Sequence, residues 1–157
     1  MSAGPTLNHA DPKAFAKTQA RRSAKTRGRN TVTPTSTKPR ILVVDDVADV
    51  TEMIALFLKH AGFEVATANS AVAALKITSQ DQFDLIISDI GMPEMNGYDL
   101  AASLRKSDAY QGIPMIAVTG YTEYDDRGRS LEAGFNAHLT KPINPSRLLS
   151  LIGDLLA

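Results

Sequence analysis

From residue 41 onward the chain alternates two kinds of pattern. Short runs, apolar at half or more of their positions, fall at residues 41–44, 63–68, 83–88, 114–118 and 137–140. Between them apolar residues recur at helical spacing. Val47, Val50, Ile54, Phe57, Leu58 and Ala61 mark one face of a helix, with Gly62 placed as its stop. Helices are predicted likewise over 71–78, over 97–106 after a Pro/Asn/Gly turn, over 123–133 and over 145–156. Strands that lack period-two alternation are those buried on both faces, so the pattern predicts five parallel strands covered by five helices. Right-handed crossovers then place helices on both sides, giving a doubly wound α/β sandwich of three layers.

Residues 1–38 read differently. They are rich in Ser, Thr, Ala and Arg, and Leu7, Phe15 and Val32 are too few to nucleate a core. A disordered basic tail is expected there, with a transient helix within 11–24, followed by a folded domain over 39–157. Charge divides the same way. Residues 1–40 carry nine Lys/Arg and one acid, a net +8, and the remainder carries −8, although the whole chain sums to zero. The tail has no apolar run of the kind a secretory signal carries. Basic residues without interleaved aromatics attract anions but do not read bases, so any contact with nucleic acid is expected through this tail alone.

The chain has no cysteine, which excludes disulfides, thiolate metal sites and cysteine nucleophiles. His9, His60 and His138 lie far apart, without the spacing of a zinc site. No apolar run approaches the length of a membrane span, so a cytoplasmic protein with no membrane contact is expected.

In an open parallel sheet, ligands bind beyond the C-terminal strand ends. There the sequence places Asp45-Asp46, Asp89 with Gly91-Met92-Pro93, Thr119-Gly120 and Lys141-Pro142. Three carboxylates gathered on one edge need a counter-charge. Oxygen ligands without His or Cys point to a hard divalent ion, Mg²⁺ before Ca²⁺. Such an ion leaves room for a phosphoryl group, with Lys141 and Thr119 on its remaining oxygens, and the fitting chemistry is carboxylate attack on a phosphoryl donor. Singly, Asp45 as a helix cap or Asp89 as a turn residue needs no such explanation; five coincidences on one edge do.

These residues resemble the receiver domain of two-component response regulators. The likeness rests on Ile41-Leu42-Val43-Val44-Asp45-Asp46, on Asp84 through Pro93 with Met95-Asn96-Gly97, on Thr119-Gly120 and on Lys141-Pro142, and it covers 39–157. It implies a flavodoxin-like sheet of order 2-1-3-4-5. It also implies Asp89 as phosphoacceptor, and Mg²⁺ held by Asp45, Asp46, Asp89 and the Gly91 carbonyl. Thr119 becomes the switch hydroxyl, Lys141 its lysine partner, and Pro142 follows a cis peptide bond. The donor would be a histidine kinase or a histidine phosphotransfer protein. The second switch position, usually Tyr or Phe, falls on His138, a smaller and polar ring. The stretch 119–121 with 132–139 is similar to receivers joined to hybrid histidine kinases.

The function expected is therefore a stand-alone phosphoacceptor switch, monomeric or dimerising on phosphorylation, with at most self-catalysed phosphorylation and dephosphorylation. The downstream protein target is not readable. The alternative is a small Mg²⁺-dependent phosphohydrolase with an Asp nucleophile. No insertion between elements is long enough for a substrate cap, and no Walker loop, Gly-x-Gly-x-x-Gly or Gly-x-Ser-x-Gly occurs.

Overall fold

The computed structural model describes residues 38–120 and 125–157, the side chains of 125–127 excepted. The tail expected over 1–38 (Lys38 apart), the transient helix within 11–24 and the expected helix start at residue 123 lie outside the described residues. In chain order the elements are β1 (Arg40–Val44), α1 (Ala48–His60), β2 (Glu64–Ala68), α2 (Ala71–Gln80), β3 (Leu85–Asp89), α3 (Gly97–Arg105), β4 (Met115–Thr119), α4 (Asp125–Ala133), β5 (Ala137–Thr140) and α5 (Pro145–Leu156). The strands form one parallel sheet, as the sequence pattern predicts, in the order β2-β1-β3-β4-β5 that the family resemblance implies.

The three central strands, β1, β3 and β4, are apolar over most of their length because both faces are covered. On one face Leu42, Val44, Ile86, Met115 and Ala117 pack with Ala74, Leu100, Ala101 and Leu104 of α2 and α3. On the other, Ile41, Val43, Leu85, Ile87, Ile116 and Val118 pack with Ile54 and Leu58 of α1 and Leu148 and Ile152 of α5. The strands β3 and β4 are buried along their whole length, whereas the edge strands β2 and β5 are only partly covered.

Most strand bounds shift by one or two residues from the expectation, β3 for example running Leu85–Asp89 against 83–88, and two of the shifts have local reasons. Phe63 belongs to the stop of α1: Gly62 takes φ 103°, and the Phe63 amide donates back to the Leu58 carbonyl at 3.1 Å. Pro114 has no N–H to give the ladder, and contributes only its carbonyl, which accepts from the Ile86 amide at 3.1 Å. The starts of α2, α3 and α5 are set by capping side chains. Ser70 accepts from the Ala73 amide, Asn96 from Asp99, and Asn144 from Ser146 and Arg147.

Candidate functional site

The strands β1, β3, β4 and β5 each end in a residue that the backbone ladder fixes. Asp45 follows β1, its amide donating to the Ala68 carbonyl at 3.1 Å. It is 2% exposed, and its Oδ1 accepts from the Val47 amide at 2.9 Å. Asp46, next along, is exposed. Asp89 is the last residue of β3 and 6% exposed, and the amide that follows it, that of Ile90, donates to the Val118 carbonyl at 3.0 Å. Thr119 closes β4 and is buried, and its carbonyl accepts from the Lys141 amide at 2.7 Å. The Lys141–Pro142 peptide bond is cis.

These ends meet. Asp45, Asp46 and Asp89 each offer a carboxylate oxygen, and the three oxygens lie within 4.8 Å of one another. Lys141 Nζ stands 3.0 Å from Asp45 Oδ2 and 3.5 Å from Asp89 Oδ1. Above them is an open cleft of about 310 Å³ lined by Asp46, Val47, Asp89, Gly91, Thr119, Gly120 and Lys141. Burial, and after it the negative charge of Asp45, push the Asp89 carboxyl above the ordinary aspartate value; Lys141 opposes them in part. Burial works against the Lys141 ammonium too, but its hydrogen bond to Asp45 and the charge of Asp89 outweigh it and hold its pKa above the ordinary lysine value. One ammonium cannot balance three carboxylates. The oxygen-only donor set, left negative and open to solvent on one side, fits a hard divalent cation.

A family model, that of the response regulator receiver domain, matches residues 41–153. The chain belongs to the response regulator receiver family. It is thus a receiver domain of two-component signalling. The receiver is 38% identical over 112 residues to an uncharacterized 14.6 kDa protein of Leptolyngbya boryana, spanning 71% of this chain and 86% of that one. It is 37% identical over 120 residues to the transcriptional regulatory protein PrrA of Mycobacterium tuberculosis, spanning 76% of this chain and 51% of PrrA. The chain therefore spans about half the length of the transcriptional regulators it matches. Among solved structures it is similar to the chemotaxis response regulator CheY4 of Vibrio cholerae, with a TM-score of 0.72 and 32% identity over 76% of this chain and all of CheY4. It is similar also to the receiver domain of the sensor histidine kinase PA1611 of Pseudomonas aeruginosa, with a TM-score of 0.71 and 25% identity over 76% of this chain and 98% of that one. That structure holds a magnesium ion in its active site cleft.

Of the residues singled out in the receiver's sequence, Asp46, Asp89, Gly91, Thr119 and Lys141 line this cleft, and Asp45 lies beneath it. His138 does not line it. It sits half-buried on β5 opposite Ala117, and borders a second cleft of about 280 Å³ with Ser130, Phe135 and Arg147. Sequence reasoning passed over the end of β2. Asn69 there donates through Nδ2 to the Asp45 carbonyl at 3.1 Å. The signal was available: a carboxamide directly after the second apolar run, on the same sheet edge as the other strand ends.

Proposed function

We propose that this receiver is a switch driven by phosphorylation of Asp89. The observation that carries the reading is the meeting of Asp45, Asp46 and Asp89 carboxylate oxygens within 4.8 Å under a lysine that bridges two of them. A carboxylate oxygen of Asp89 attacks the phosphorus of a phosphohistidine on a histidine kinase or phosphotransfer protein. An O–P bond forms, the P–N bond breaks, and the imidazole nitrogen keeps the electron pair. Asp45, Asp46, Asp89 and the Gly91 carbonyl would hold Mg²⁺, which supplies charge neutralisation for the carboxylates and the phosphoryl oxygens when bound. Lys141 moves from its carboxylate partners to a phosphoryl oxygen, and the Thr119 hydroxyl donates to another. His138 takes the second switch position, next to the face that α4, β5 and α5 present.

In this reading residues 39–157 form the receiver and 1–38 a basic tail. Reactions other than its own phosphorylation and dephosphorylation are not assigned to it. No helix among the described residues is long and apolar enough to cross a membrane; a cytoplasmic place beside a kinase is part of the proposal. Incubating the protein with acetyl phosphate and Mg²⁺ tests the reading. A stable acyl phosphate on the wild type, lost with EDTA and in Asp89→Asn, is expected. Labelling that persists in Asp89→Asn overturns it, and repeated turnover of phosphomonoesters supports the phosphohydrolase.

A further inference from the structure

Building on the role proposed for the acidic cleft, we infer that Asn69 is a positioning residue for the cation site, holding the Asp45–Asp46 peptide in the orientation that aims Asp46 into the cleft. The Asp45 amide extends the β1–β2 ladder one step past its last register pair, Val44 with Ala68. At the following step a side chain supplies the bond: Asn69 Nδ2 donates to the Asp45 carbonyl at 3.1 Å. The same nitrogen lies 3.4 Å from Thr51 Oγ1, whose hydroxyl donates to the Ala48 carbonyl at 2.9 Å. One carboxamide thus joins the end of β1, the end of β2 and the first turn of α1 around the loop that carries both acids.

The local structure gives this bond unusual weight. Val47, the N-cap of α1, makes no side-chain cap, and its own amide is satisfied by Asp45 Oδ1. The Asp45 side chain is held by Val47 and, before phosphorylation, by Lys141. Asp46 is joined to it through a planar peptide whose carbonyl end Asn69 holds. Rotation of that peptide swings the Asp46 side chain, and Mg²⁺ tolerates little error in the placing of its oxygens. Partners that orient ligands in this way change metal affinity without touching the metal.

Calorimetric titration of the full chain with MgCl₂ tests the inference on four proteins: wild type, Asn69→Ala, Asn69→Asp and Ser70→Ala. Asparagine to aspartate is nearly isosteric, removes the N–H donor and adds a negative charge. Both Asn69 variants are expected to keep the wild-type circular dichroism and to bind Mg²⁺ about five- to tenfold more weakly. Ser70→Ala removes the neighbouring cap of α2, where Oγ accepts from the Ala73 amide at 3.0 Å. It is expected to leave Mg²⁺ affinity within about twofold of wild type, because it loosens the same corner without releasing the Asp45 carbonyl. Tighter binding by Asn69→Asp, with Asn69→Ala like wild type, would show that the position acts only through charge. An equal loss in Ser70→Ala would show general loosening, and either result overturns the role of Asn69. Wild-type protein that binds no Mg²⁺ overturns the reading of the cleft itself; normal wild-type binding with unchanged Asn69 variants overturns Asn69 alone.

Discussion

Lys141 lies closer to Asp45 than to Asp89, at 3.0 Å against 3.5 Å, so the ammonium is held most tightly by the carboxylate deepest in the site. Replacing Lys141 with Met would leave two buried carboxylates facing each other without a cation. Taking one member from a largely buried pair leaves a charge uncompensated, and the expected loss is roughly 1–3 kcal/mol at neutral pH in EDTA, less than for a fully buried pair because Lys141 is partly exposed. Urea denaturation measures it. Mg²⁺ should restore part of the loss, since it places a positive charge at the same carboxylates; a Lys141→Met protein as stable as wild type would contradict the pairing.

Asp89 predicts a pH dependence. Its carboxyl is held above the ordinary value of 3.8, first by burial and then by Asp45. Between the unfolded and folded pKa values the folded protein binds more protons than the unfolded chain, so this group's contribution to stability falls as pH rises through that window. Asp89→Asn, neutral at every pH, should melt above wild type at neutral pH in EDTA, and the gap should close as pH drops below the unfolded aspartate value. Thermal melts across the acid range test this, and a gap that widens toward low pH would refute it.

Gly97 opens α3 directly beneath the Asp89 carbonyl. A Cβ there would run into the Asp89 oxygen and stand 2.9 Å from Ile90 Cα, both backbone atoms that cannot swing aside. Gly97→Ala is expected to cost about 2 kcal/mol or more in urea titration and to reduce acetyl phosphate labelling, because the backbone that must yield is the one carrying Asp89, the phosphoacceptor we propose.

Glu94 is exposed and takes φ 70°, a left-handed conformation that a side chain with a Cβ resists. Glu94→Gly should gain roughly 0.5–1 kcal/mol after the added freedom of glycine in the unfolded chain is subtracted. Equilibrium denaturation reads this directly, and a loss of stability would mean that the glutamate side chain makes a compensating contact.

Arg105, at the end of α3, donates to main-chain carbonyls. Its guanidinium reaches Gly134 at 2.7 and 3.1 Å, Tyr110 at 2.8 Å, Gln111 at 2.9 Å and Ile113 at 2.7 Å, and also Asn136 Oδ1 at 2.9 Å. A lysine carries three donors on a point charge and cannot span this fork, so Arg105→Lys should already lose about 1–2 kcal/mol and Arg105→Ala roughly 2–4 kcal/mol. Because these contacts tie the loops at the strand starts, labelling of the folded variants should stay near wild type.

The pattern of residues alone determined the elements, the doubly wound sheet and the membership of the acidic cluster. The physical reason is that a parallel sheet carries every strand C-terminus to the same edge, so the acids after 41–44 and 83–88, Thr119 and Lys141 are brought together by topology. Element ends were less legible, because Phe63 is claimed by the helix stop at Gly62 and Pro114 lacks a donor. Tertiary structure decided the rest. Which carboxylate holds Lys141 is settled between residues 96 apart in the chain. The bond from Asn69 to the Asp45 carbonyl, the carbonyls gathered by Arg105 and the turning of His138 toward the second cleft follow in the same way from distances between elements, because hydrogen bonds act over about 3 Å and no spacing along the chain encodes them.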